Sequence, residues 1–130
     1  MITAAPDPPS ALARVEEAES AFHGPAETCP ACRIGLVVPA AIATARAGDL
    51  DRAAHYAETA ELLANVVLLQ PAWYAAVDEV KGHLARAAGD AEAALELFRK
   101  AAAGFRDSGQ PLDEERCRSL AVHRAGVRSV

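Results

Sequence analysis

The sequence predicts an all-α protein of about six helices, folded as stacked antiparallel hairpins. Three observations carry that expectation. The 130 residues are 52% hydrophobic but only 5% aromatic. Much of the apolar content is alanine, the best helix former, whose small side chain lets helices approach closely. Gly48-Asp49 and Gly89-Asp90 each pair a helix stop with a capping residue. Behind each pair the apolar residues keep one helical spacing: Ala53, Ala57, Ala60 and Ala64 in the first case, Ala94, Phe98, Ala101 and Phe105 in the second.

The elements follow in order. Pro6, Pro8 and Pro9 resist helix, so residues 1–9 are expected to be a flexible lead-in. A first helix is predicted over 10–22, with Ser10 as N-cap and Ala11, Val15, Ala18 and Phe22 as its stripe. His23-Gly24-Pro25 ends it. The second spans 28–47 behind Thr28. Pro39 lies inside it and would crowd the carbonyl of Gly35, the least obstructive residue there, so a kink is expected rather than a break. The third runs from the Asp49 cap to about residue 64. No glycine separates Ala64 from Gln70, so extension of this helix through Val66-Val67-Leu68-Leu69, with burial of that run, is preferred to an exposed apolar patch for self-association. The fourth covers 72–88 with the stripe Trp73, Val77, Val80, Leu84 and Ala87, and the fifth runs from Asp90 to about 107. Ser108-Gly109-Gln110-Pro111 breaks the chain before a sixth helix at 112–123. A single helical domain over 10–125 and a tail at 126–130 complete the organisation.

The two halves are in register. Gly48/Gly89, Ala53/Ala94, Ala57/Phe98 and Ala60/Ala101 all share one offset, about 41 residues, which is in the range of helical repeats. The same offset maps the stripe of the fourth helix onto Cys32, Leu36, Pro39, Ala43 and Arg46 of the second. The helices therefore read B, A-B, A-B, A, with a right-handed superhelical stacking expected. A repeat that cannot bury its apolar face alone leaves an extended surface when stacked, which suits a binding scaffold better than a catalyst.

On these residues the chain resembles tetratricopeptide-type repeats. Ala41 and Gly82 match the small residue opposite the turn, Gly48-Asp49 and Gly89-Asp90 the turn itself, and Ala94-Phe98-Ala101 the small–large–small pattern of helix B. Ala57 departs from that pattern where a large residue belongs. Val37 and Asp78 stand at the place of the helix-A aromatic. The period is also longer than the family's, which is about 34 residues. Gln70-Pro71-Ala72-Trp73 and the segment from Gly109 to Arg118 are similar to the C-terminal helical-repeat region of large bacterial LuxR-type regulators, over about residues 29–121. The resemblance implies a protein-interaction module in a regulatory or adaptor setting. It also implies that the helix-A face, with Val38, Ile42, Glu79, His83 and Arg86, lines a partner-binding groove. The partner would be another protein or a second copy of this chain.

Charge and motifs exclude other classes. A net charge of −5 disfavours general nucleic-acid binding. From Arg116 onward, however, there are four arginines and no acid, read here as a solvated face and tail. The first residues lack a positive stretch followed by an apolar core, no apolar run has the length of a membrane span, and three cysteines do not make a disulfide framework. A cytoplasmic, membrane-free protein is expected. No phosphate loop, His-Glu-x-x-His, Gly-x-Ser-x-Gly or dinucleotide fingerprint occurs, so neither an enzyme nor a cofactor is expected. The alternative function is a thiol-based redox sensor or metal-binding protein built on Cys29-Pro30-Ala31-Cys32, with His23 as a further metal ligand. The register of Cys32 with Trp73 favours a packed core thiol instead. Cys117, between Arg116 and Arg118, is either a thiol with a lowered pKa or a core residue, and packing is preferred.

Overall fold

The computed structural model describes residues 8–21 and 29–128, and the side chains of 10–17 and 29–122. Every regular element among the described residues is helical: α1 (Pro8–Ala21), α2 (Pro30–Arg46), α3 (Leu50–Leu62) continued by a π-helical turn (Leu63–Leu68), α4 (Pro71–Ala87), α5 (Ala91–Asp107) and α6 (Pro111–Arg128). The helices form two compact units divided between Leu68 and Leu69. The N-terminal unit packs α1 on α2 and α2 on α3; the C-terminal unit packs α4 on α5 and α5 on α6.

The repeat is visible as matched helix starts. Pro30 and Pro71 open α2 and α4, and Leu50 and Ala91 open α3 and α5. Pro at the first helical position loses nothing, because that N–H has no intrahelical acceptor. The same principle corrects the first boundary: α1 begins at Pro8 and takes two prolines into its first turn, rather than starting behind Ser10. Phe22, expected at its end, lies outside the described residues. At the other end α6 begins at Pro111 and continues to Arg128, past residue 123.

One turn geometry recurs along the chain. Gly48 and Gly89 adopt φ of 84° and 89°, a left-handed conformation open to glycine without a Cβ penalty. This lets the Asp49 N–H donate to the Thr44 carbonyl at 2.9 Å and the Asp90 N–H to the Ala85 carbonyl at 2.8 Å. The two aspartates then cap the next helix through the N–H groups of Arg52 (3.3 Å) and Ala93 (3.1 Å). A third turn repeats the bond from Gln110 N–H to the Phe105 carbonyl at 2.9 Å, but Gln110 and Pro111 replace the Asp cap.

In the N-terminal unit α2 passes through Pro39 unbroken, and residues from Ala40 to Ala45 are buried without interruption. The hydroxyl of buried Thr44 donates to the carbonyls of Ala40 (2.8 Å) and Ala41 (3.1 Å), so no polar group is stranded there. Arg52 of α3 reaches the Tyr56 hydroxyl at 3.4 Å and Glu16 of α1 at 4.0 Å. Beyond α3 the chain stays helical to Leu68, one residue short of the expected extension through Leu69, which has a φ of 51°. The expected burial fails: Val66, Val67 and Leu69 are exposed, and only Ala64 of the π-helical segment is buried.

In the C-terminal unit the α5 stripe is as the spacing predicts: Ala94, Phe98, Ala101 and Phe105 are all buried. The α4 stripe is rotated from the expected one. Val77 and Val80 are buried, but Trp73 and Leu84 are half-buried and Ala87 is exposed, while Ala75, Ala76, Glu79, Gly82 and His83 are buried. The reason is close helix approach. A Cβ on Gly82 would lie 2.7 Å from Cε1 of Phe98, and one on Gly104 would lie 2.9 Å from Cβ of Ala75. Small residues at the crossing, not the largest apolar ones, set the contact row between α4 and α5.

Gly82→Ala is therefore expected to destabilise the protein by about 1–3 kcal/mol through overpacking on Phe98, although alanine is the better helix former. Phe98→Ala should cost about 3–5 kcal/mol through the cavity it leaves. Urea denaturation monitored by helicity checks both. An unchanged midpoint for Gly82→Ala would refute the close crossing.

Candidate functional site

Glu79, His83 and Arg86 recur at i, i+4 and i+7 and so share one face of α4. That face is turned inward. The Glu79 side chain is only 2% exposed, and a buried carboxylate persists as an ion only when paired and hydrogen-bonded. Arg116 of α6 supplies both bonds: its Nε donates to Oε2 and its Nη2 to Oε1, each at 2.7 Å. Its remaining Nη1 donates to Asp113 Oδ1 at 2.6 Å, one turn earlier on α6. The paired carboxylates hold the guanidinium protonated even more firmly than usual, the Glu79 hydrogen bonds contributing most.

A second arginine spans α4 and α6 in the opposite sense. Arg86 Nη2 donates to the Leu120 carbonyl at 2.9 Å. Its guanidinium carbon stands 4.7 Å from the centre of the Phe98 ring, and the His83 ring meets the same phenyl edge-on at 5.0 Å and 76°. Arg116 likewise lies 5.9 Å from the centre of the Phe105 ring. Two phenyl rings of α5 thus support two arginines that tie α4 to α6.

Cys117, beside Arg116, is fully buried, as packing predicts. The lowered pKa that flanking arginines suggest is not found. Burial, with the Glu79 carboxylate second, pushes the thiol up to about 12. The arginines are committed elsewhere, Arg116 to Glu79 and Arg118 to Glu114 at 3.6 Å.

The groove expected from the sequence is accordingly corrected. Val38 and Ile42 are buried in the N-terminal unit, their register partners Glu79 and His83 are buried in the C-terminal unit, and Arg86 is half-buried. These positions are core in each unit rather than an open helix-A face. What the sequence did not reveal is the set of partners. Arg116 and Leu120 lie 37 and 34 residues from the groups they bind. The one signal was the basic chain end, four arginines and no acid from Arg116 onward.

Among the described residues of the C-terminal unit, a groove opens between α5 and α6. This groove of about 300 Å³ is lined by Ala102, Ala103, Ala121 and Val122, with Arg99, Arg106, Arg118 and Glu114 at its rim.

At the start of α2, Cys29 is the N-cap, with an extended backbone (φ −81°, ψ 110°). Its Sγ accepts a hydrogen bond from the Cys32 N–H at 3.3 Å. Hydrogen bonds from the Cys32 thiol, and then from the Cys32 backbone, hold the Cys29 thiol below its ordinary range. Donation to Cys29 pushes the Cys32 thiol up. Cys32 is exposed, not a packed counterpart of the half-buried Trp73. Burial begins at Ile34 in α2 and at Ala75 in α4, so both positions precede the buried part of their helices. His23 lies outside the described residues. Among the described residues no three His, Cys, Asp or Glu side chains gather as a metal-binding group, and no helix is long and apolar enough to cross a membrane.

No family model, curated protein or solved structure matches the chain.

Two outcomes are expected. Arg116→Ala leaves a buried carboxylate unpaired and should cost about 1–3 kcal/mol, more than the Glu79→Met, Arg116→Met double replacement, which removes both charges. Equal losses in denaturant titrations would show the carboxylate to be solvated. The second outcome concerns pH. The folded state holds the Cys117 proton above the ordinary thiol value of 9.0, so the unfolded chain loses it first as pH rises. Stability is retained below pH 9 and falls between about 9 and 12. Cys117→Ala should show a shallower alkaline decline in thermal melts; an identical slope would count against the buried thiol.

Proposed function

We propose that this chain is a protein-interaction module of the tetratricopeptide-like kind, acting in a regulatory or adaptor setting rather than as an enzyme. The observation that supports this reading best is the groove between α5 and α6. Its floor is apolar, and Val122 beside it is 73% exposed. Its rim carries three guanidinium groups against one carboxylate, in a chain whose net charge is −5. An apolar floor with a basic rim suits an amphipathic segment that presents small apolar side chains and acidic neighbours, the helix-in-groove mode of recognition. Arginine contributes planar, bidentate contacts to carboxylates at such rims.

The buried face of α4 has a different part in this reading. Arg86 and Arg116 tie α6 to α4 and also lie on the Phe98 and Phe105 rings of α5, which fixes one wall of the groove relative to the other. The ion pair therefore preorganises the surface and is not itself the surface. Preorganisation lowers the ordering cost of binding.

Placing a photo-crosslinking residue at Ala103 and comparing the native rim with Arg99→Glu, Arg106→Glu tests the proposal. The native rim should crosslink to an acidic segment of a partner protein, and charge reversal should reduce capture at least tenfold while helicity is unchanged. Undiminished capture of the same partner by the reversed rim, or a partner segment with no acidic residues, refutes it. Val66→Glu, Val67→Glu in the N-terminal unit serves as the comparison. If only that variant loses association, the contact surface is the exposed end of the π turn instead.

A further inference from the structure

The thiols divide into two kinds. Cys117 is sealed in the C-terminal unit, whereas Cys29 and Cys32 stand one helical turn apart at the start of α2, half-buried and exposed respectively. All three are free thiols. The first turn of α2 contains no acidic side chain. Pro30 occupies the first helical position and lacks an N–H, which leaves Cys32 to donate its N–H to the Cys29 sulfur. The helix dipole adds to the same effect.

We propose that Cys29 and Cys32 form a reversible dithiol–disulfide site whose oxidant is a low-molecular-weight disulfide. Cys29, as thiolate, attacks one sulfur of the small disulfide. The small molecule's S–S bond breaks, a mixed disulfide forms on Cys29, and one small thiol leaves with a proton. Cys32 then gives up its proton and attacks the Cys29 sulfur, releasing the second small thiol. Two protein thiols are oxidised to one disulfide, one small disulfide is reduced to two thiols, and both protons leave on the products. Thiolates, not thiols, are the attacking species in each step.

The roles of the two cysteines follow from their geometry. Cys29 receives hydrogen bonds and is the stabilised thiolate, so it attacks first. Cys32 donates, keeps its proton, and stands exposed beside the mixed disulfide as the resolving thiol. Residues three apart on a helix have Cβ atoms about 5–6 Å apart, and a disulfide needs about 3.8 Å. The N-cap position of Cys29 supplies the adjustment, because its backbone is extended and only its carbonyl joins the helical ladder, accepting from the Arg33 N–H at 2.9 Å.

The full chain, reduced and then exposed to glutathione disulfide at pH 7, tests this by peptide mapping after acid quench. The native protein should yield a Cys29–Cys32 disulfide, with Cys117 unmodified until the protein is denatured. Cys32→Ser should stop at a single glutathione adduct on Cys29. Cys29→Ser should react several-fold more slowly at Cys32. A dithiol reductant should restore the native protein fully. Equal reaction rates for the two single variants, or native protein that accumulates a stable adduct without closing the ring, would overturn the assignment. Helicity is recorded for each variant. Since the native measurement alone decides ring closure, a misfolded variant would not obscure the result.

Discussion

A carboxylate that has left water governs the C-terminal unit. Glu79 sits on the face of α4 that also carries Gly82 and His83, and that face is closed over by α5 and α6. Its desolvation is offset only by a partner with matching geometry, and Arg116 provides the bidentate one. Such a pair is weak evidence for net stability but strong evidence for position, because a register slip of α6 would leave a charge unpaired. Arg86 adds a second point of attachment, reaching the Leu120 backbone one turn further along α6. Two fixed points define both the spacing and the register of α6 against α4.

The two repeats solve the same packing problem with different materials. The position filled by Phe98 in α5 is Ala57 in α3, and the positions of Glu79 and His83 in α4 are Val38 and Ile42 in α2. In both units these positions are buried. Where helix B offers a large ring, Gly82 removes its Cβ to admit it, and His83 and Arg86 use its edge and face. Where helix B carries only alanine, helix A carries branched apolar side chains that are buried. Repeat identity thus resides in the turns and small residues, while the large and polar residues diverge.

This division separates the interior of the chain from the parts available for contact and chemistry. Polar residues that look functional in a linear reading, Glu79, His83 and Arg86, are spent on holding helices together. Among the groups of the described residues that stay accessible are the arginines above the α5–α6 groove and the thiol pair that opens α2. Cys117 illustrates the same point in reverse: burial, with the Glu79 carboxylate beside it, outweighs the downward pull of neighbouring Arg116 on its pKa.

The sequence by itself determined the helices, the turns and the repeat. These depend on short-range physics: alanine propensity, a glycine that must be left-handed at Gly48 and Gly89, an aspartate that caps the turn it opens, and a periodic stripe on α5. The turns and caps are readable because cause and effect lie within one helical turn, and the stripe because it lies within one helix. Boundaries near Pro8 and Pro111 escaped only because proline resists helix interiors but not helix starts. Tertiary structure alone decided which face of α4 is inside, since that depends on Gly82 meeting the Phe98 ring of the next helix and on Glu79 meeting a guanidinium 37 residues away. A hydrophobic stripe assigns the inside by apolarity, and it fails where a paired charge and a missing Cβ make a polar face the closer fit. The exposure of Cys32 and of Val66 and Val67 belongs to the same class: burial is a property of neighbours, and the neighbours are set by packing rather than by the local run of residues.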